Sequence, residues 1–215
     1  MPELSFRVEG ADLVQFAVAP TLALKLRIDN AVPQQRIESI MLQCQVQIEA
    51  TRRRYATEEQ PRLLDLFGEP ERWGKTLRTM LWTNVTVNVR PFTDSTLFDL
   101  HIPCTFDFNV AATKYFHALD AGEVPLALLF SGTIFYDDEE RGLQVTQIPW
   151  NREANYRLPV AVWRQVIDHY YPNTSWLTVR RDVFDRLNEF KMRNSIATWD
   201  EALERLLAQT VSLPS

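Results

Sequence analysis

Glycine, histidine and cysteine are scarce in this 215-residue chain, and each shortage removes a class of chemistry. The six glycines are under half the usual share, and none are clustered. A phosphate cradle of backbone amides needs a glycine-rich turn at a helix start, so P-loop and dinucleotide-binding chemistry are excluded. The only histidines are His101, His117 and His169, so a three-histidine metal centre would have to recruit all of them. Cys44 and Cys104 lie far apart without a CxxC spacing, which argues against a disulfide framework or a structural zinc site and for reduced core thiols. No HExxH, GxSxG or EF-hand pattern occurs. No metal and no cofactor are therefore expected.

Positive charge is also short, with 23 basic against 28 acidic residues and a formal charge of −5. Such a balance offers no field for nucleic acid or an anionic membrane. The basic run Arg52, Arg53, Arg54 precedes Tyr55 and could clamp a phosphate or stack on a base, but Glu58 and Glu59 offset it at once. It reads as a solvated strand end or a protein-contact patch, and no nucleic-acid partner is expected. The longest apolar run, VPLALLFSGTIFY, is too short and interrupted to span a bilayer, and MPELSFRVEGADLV does not read as a secretory signal. No membrane insertion is expected, and the expected location is cytoplasmic.

What the chain does have is alternation at period two, the pattern of strands with one buried face. In TLALKLRID, Leu22, Leu24, Leu26 and Ile28 share a face. In SIMLQCQVQIEA, Ile40, Leu42, Cys44, Val46 and Ile48 point inward, while Gln43, Gln45, Gln47 and Glu49 point outward. Val85, Val87 and Val89 repeat the scheme. In TLFDLHIPCTFDFNV the row Phe98, Leu100, Ile102, Cys104, Phe106, Phe108, Val110 predicts one long strand, with Pro103 marking a sheet edge or a bulge. The stretch VPLALLFSGTIFYDDEERGLQVTQIPW reads as a hairpin turning at DDEERG. Its first strand is apolar on both faces and so belongs at the centre of a sheet.

That fourth strand also holds the residue types of a metal site or a catalytic triad. Alternation sends Cys104 away from His101, Asp99 and Asp107, so no triad can form within the segment. Asp99 and His101, about 7 Å apart on the polar face, and the more distant Asp107 define an alternative ligand-binding or enzymatic site, against which stands a solvated strand face.

From about residue 155 the period changes to that of helices. Pro159 opens one helix, which stops before Pro172. Leu177, Val183, Phe184, Leu187 and Phe190 stripe a second, and Thr198 with Glu201 begins a third as a capping box. The segment 111–123 reads as a further helix carrying a partly buried His117. The expected fold is α+β: an antiparallel β-sandwich or curved sheet with a packed helical C-terminal segment. Residues 1–215 form a single domain in this reading, 1–154 mainly β and 155–215 helical.

The phrases PTLALKLRI, QIEATRRRY, LLDLFGEPERWGKTLRTMLWT, HIPCTFDF, FSGTIFY, LPVAVWRQVIDHYYPNTSW and TWDEALERLL resemble an uncharacterised bacterial family typical of actinobacteria. That family is associated with gene clusters of high-affinity nickel-iron hydrogenases. The resemblance implies an accessory or assembly role with a hydrogenase subunit or maturation factor as partner, and it carries over no catalytic residue. FSGTIFY also resembles the export chaperone SecB, which implies a second, chaperone-like alternative.

Six tryptophans complete the inventory, several at element boundaries. Trp and Arg dominate protein-interface hot spots. Trp73 and Trp150, with Arg53 and Tyr55, are the candidate partner-binding residues, against the plainer role of covering a core edge. The expected function is that of a noncatalytic accessory protein acting through protein contacts.

Overall fold

The alternating rows become two antiparallel sheets that face each other. A computed structural model describes residues 1–211, with side chains through Ala208. Its strands are β1 (Leu4–Leu13), β2 (Thr21–Asn30), β3 (Ile37–Ile48), β4 (Met80–Val89), β5 (Ser95–Pro103), β6 (Glu123–Asp138), β7 (Gly142–Gln147) and β8 (Glu153–Pro159). The helices are α1 (Leu64–Phe67), α2 (Trp73–Thr76), α3 (Val110–Ala118), α4 (Val160–Tyr170), α5 (Arg181–Arg193) and α6 (Trp199–Val211). One sheet has the order β1-β2-β5; the other has the order β4-β3-β6-β7, with β8 also paired to β6. This is the expected α+β sandwich.

The inward rows lie where alternation places them. Leu22, Leu24, Leu26 and Ile28 of β2 are fully buried, as are Ile40, Leu42, Val46 and Ile48 of β3. Each such side chain contributes about 1.5–3 kcal/mol by leaving water. Phe6 of β1 stacks on Phe130 of β6 with ring centroids 4.2 Å apart, tying one sheet to the other. As its two apolar faces require, β6 is central: β3 runs along one side, and β8 then β7 along the other. Gly132 sits between those two pairings with φ +135°. A Cβ there would stand 2.0 Å from the Met41 carbonyl oxygen, so only glycine allows β3 this close.

Two strands depart from the expected pattern. The fourth alternating segment ends at Pro103, not at Val110. Cys104 donates its amide to the Pro20 carbonyl, a turn follows, and Asn109 caps α3 by accepting from the Ala112 amide at 2.9 Å. Proline has no amide to continue the ladder, and the Asn109 cap offers a competing helix start. Phe106, Phe108 and Val110 therefore leave the core row, and Phe108 is half exposed. In β4 a bulge opposite Val46 and Gln47 makes Trp82 an extra residue, which turns its ring inward against Phe116 of α3.

Strand structure reaches Pro159, five residues past the expected change at 154. There α4 begins and buries Val160, Trp163, Val166 and Ile167 against β1, β2 and β8. The chain forms two compact units, Met1–Thr174 and Ser175–Ser215. The second contains α5 and α6, where the Thr198 hydroxyl caps the Glu201 amide at 3.2 Å. Among the described residues no helix is long and apolar enough to cross a membrane.

Because α4 belongs to the first unit, the two possible truncations should differ. A chain ending at Thr174 is expected to melt cooperatively with its strand content intact by circular dichroism. One ending at Arg157 loses four buried side chains of α4 and is expected to aggregate. Equal behaviour of the two products would contradict this division.

Candidate functional site

After β3 the chain makes short turns at Ala50–Arg52 and Gln60–Leu63 before α1. These turns carry a buried carboxylate inward. Glu59 accepts from both terminal guanidinium nitrogens of Arg53 at 2.8 and 3.0 Å, from the Ala56 amide at 3.0 Å and from the Asp120 amide at 2.9 Å. Arg53 also donates to the carbonyls of Ala121 and Glu123, and its guanidinium lies 5.1 Å from the Tyr55 ring centroid. Burial alone would raise the Glu59 pKa, but Arg53 and the two amides outweigh it and hold the carboxylate below its ordinary value. Beside this pair, Arg62 and Arg164 both engage Asp120.

Tyr55 and Trp73 complete the same cluster. The Tyr55 hydroxyl donates to the Ala50 carbonyl at 2.7 Å and meets the Tyr115 hydroxyl at 2.9 Å, and burial pushes the Tyr115 phenol pKa far upward. Trp73 stands edge-on to Tyr55 and to Phe67 and donates its indole N–H to the Gly68 carbonyl. Three of the four candidate partner-binding residues are thus brought together. Arg53 and Tyr55 fasten the segment between β3 and β4 to α3 and the start of β6, while the Trp73 indole bonds within the segment itself.

Trp150 is placed differently. Its turn is held at both ends, by the Ile148 amide on the Gly132 carbonyl and the Phe130 amide on the Arg152 carbonyl, and closed by Arg152 on Pro149. The indole projects from this fixed turn and is 93% exposed. It borders a cleft of about 510 Å³ on the outer face of the five-stranded sheet, lined by Gln43, Gln45, Asn84, Thr86 and Ser131.

Strand register shows how far this face extends. Paired rows such as Thr86–Gln43–Ser131 and Asn88–Met41–Thr133–Gln147 carry amides and hydroxyls with scattered apolar groups. Between Met41 and Gln47 of β3, Asn84 and Asn88 of β4, Ala127 and Phe135 of β6, and Val145 and Gln147 of β7, the outward residues include no charge; β8 bounds this stretch with Glu153 opposite Leu129 and Arg157 opposite Pro125 on the same face. In a chain with 24% charged residues, an uncharged stretch across four strands stands apart from ordinary solvated surface.

Asp99, His101 and Asp107 do not converge. Asp99 pairs with Lys25 at 2.8 Å, and His101 is exposed opposite Ala23. Asp107 lies in the turn before α3, off the strand altogether. His117, expected to be partly buried, is exposed, with its ring edge-on to Trp163. Both thiols are buried, and burial pushes the pKa of Cys44 and of Cys104 up to about 12, so neither is a nucleophile near neutrality. Among the described residues no group of three or more His, Cys, Asp or Glu could hold a metal ion.

One exposed feature escaped sequence reasoning. The loop between β1 and β2 holds Phe16 in the left-handed region, φ 60°, with its ring 96% exposed beside an equally bare Val18. The Tyr170 hydroxyl clamps the loop by donating to the Val14 carbonyl and accepting from the Ala17 amide. The available signal was VQFAVAP, an uncharged run between two strands; the missing information was which residue pins it.

The fold defines an α+β sandwich protein. The chain belongs to a family of unknown function, DUF6084, which matches residues 1–213. No curated protein matches it. Among solved structures it is similar to an ApaA protein from Bordetella pertussis, at 10% identity and a TM-score of 0.27, over 73% of this chain and 93% of that one. It is also similar to β-glucosidase 3B from Thermotoga neapolitana in complex with α-D-glucose, at 14% identity and a TM-score of 0.26, over 73% of this chain but 17% of the enzyme. TM-scores this low give neither likeness any bearing on function.

The buried Arg53–Glu59 pair has a pH signature. A carboxylate whose folded pKa is depressed contributes its full stability above the unfolded pKa of about 4.3 and loses it as pH falls through the folded value. Glu59→Gln should cost about 3 kcal/mol at neutral pH, and the gap to wild type should narrow on acidification. Urea unfolding at pH 7 and at about pH 3.5 reads both. A gap that does not change with pH would contradict the role assigned to the ionised carboxylate.

Proposed function

We propose that this is a noncatalytic accessory protein that holds a protein partner against the uncharged β4-β3-β6-β7 part of the outer face of its five-stranded sheet, with Trp150 as anchor. The supporting observation is the exposure of that indole on a turn pinned by backbone hydrogen bonds, beside amides that carry no charge. An anchor already fixed in position loses little entropy when it docks, and tryptophan is the residue type most enriched at interface hot spots. Arg53, Tyr55 and Trp73 act behind this surface as the latch that orders the neighbouring segment. For the partner's identity, the resemblance of PTLALKLRI, HIPCTFDF and LPVAVWRQVIDHYYPNTSW to a family associated with high-affinity nickel-iron hydrogenase clusters points to a hydrogenase subunit or maturation factor in an actinobacterial cytoplasm.

A neutral interface makes a distinct prediction about salt. Affinity capture from host extract should recover one stoichiometric protein, and raising the salt to about 1 M should leave the complex intact. Trp150→Ala should weaken binding about 30-fold or more while its melting temperature stays that of wild type. A complex that dissolves in salt or ignores Trp150→Ala would contradict the proposal. A captured protein unrelated to hydrogenase would remove only the partner's identity.

A further inference from the structure

The second compact unit has almost no interior. In α5 no residue is buried, and in residues 175–208 only Ile196 and Ala202 are. Yet both helices are amphipathic. Val183, Leu187 and Phe190 are half-buried on α5, as is Leu206 on α6. Beside these inner rows lie outer rows spaced at multiples of four residues, Phe184 and Met192 two turns apart on α5, and Trp199 and Leu203 one turn apart on α6. Met192 is 65% exposed, Phe184 46% and Trp199 39%. Rows at this spacing are the ridges by which helices pack into one another's grooves, and here they meet water. Phe184 and Lys191 both reach the Trp199 ring, so the rows belong to one continuous patch.

Charge distinguishes what can cover this patch. Within their helical ranges, α5 carries four basic residues against three acidic, whereas α6 carries three acidic against one basic. The α6 base, Arg205, is taken up by Glu201, and Arg193 on α5 by Glu189. Among the described residues Arg181, Asp185, Arg186 and Lys191 of α5 and Asp200 and Glu204 of α6 have no ion pair, so the unpaired charge is mainly basic on α5 and acidic on α6. The helices are also equal in length at 13 residues, about 20 Å each.

We infer that a second copy of this chain covers the patch, with α5 of each protomer against α6 of its partner. The two helix pairs then share one four-helix core. An isologous contact repeats each interaction twice, so the basic excess of α5 meets the acidic excess of α6 on both sides of the two-fold axis.

The test is the mass of the full chain by light scattering over a range of protein concentrations. Wild type should approach twice 25.0 kDa, and Phe184→Glu and Leu203→Glu should each return it to the monomer mass without altering strand content. Because either variant could unfold the helices, zero-length crosslinking of mixed isotope-labelled and unlabelled wild-type chains gives a second readout. Crosslinks between copies should join α5 to α6. A monomeric wild type at high concentration, a dimer indifferent to both variants, a larger assembly, or inter-copy crosslinks confined to the sandwich would each overturn the inference.

Discussion

Everything in the first unit depends on two facing rows of aliphatic side chains, Leu22 to Ile28 on β2 and Ile40 to Ile48 on β3. Neither strand can expose its row without losing several kcal/mol, and at period two a slip of one residue would expose every member at once. Register is therefore fixed before any loop is placed. Once β3 is set, its opposite side is determined too: Gln43, Gln45 and Gln47 must point outward, and Gly132 must lie against the Met41 carbonyl. The candidate interface is thus the reverse side of the core, which is why it is continuous across four strands.

Polar interactions act on what this frame leaves undetermined. The long excursion between β3 and β4 contains only single turns of helix and buries few of its own side chains, Ala50, Leu63 and Phe67 among them. Glu59 gathers Arg53, the Ala56 amide and the Asp120 amide at one buried point and so joins segments some sixty residues apart. A buried ion pair adds less net energy than its short distances suggest, because both charges are desolvated. Its effect here is positional: it fixes the backbone of the segment in which Tyr55 is held against Tyr115 and Trp73 against Phe67. The same economy appears at Tyr170, whose single hydroxyl holds the exposed Phe16 loop.

The legible parts of the fold were those governed by local periodicity. The core rows of β2 and β3, the central position of β6, the hairpin into β7 and the capped start of α6 all follow from spacing within one segment. β1 was not anticipated, because its register shifts between Val8 and Gly10 and the alternation changes parity there. The end of β5 was misjudged because apolar residues continued the pattern after Pro103 had already removed the amide needed to extend it. For the site, a tryptophan at a boundary marked Trp150 and Trp73 equally. What separates them is long-range, since the neighbours of Trp73 include Tyr55, itself fixed by Tyr115, whereas the Trp150 turn is fastened only through its backbone. Charge absence was visible in the glutamine row of β3, but its extent emerged only once β4, β6 and β7 were set in register beside it.

The central claim, that the outer face of the five-stranded sheet is where this protein meets its partner, is tested most directly by hydroxyl-radical footprinting of the purified complex against the free chain. Trp150 and Met41 are exposed and readily oxidised side chains on or beside that face. Loss of their oxidation on complex formation, with Trp73 unchanged, is the expected result. Protection of Trp73 while Trp150 and Met41 remain as reactive as in the free chain would place the interface elsewhere and contradict the claim.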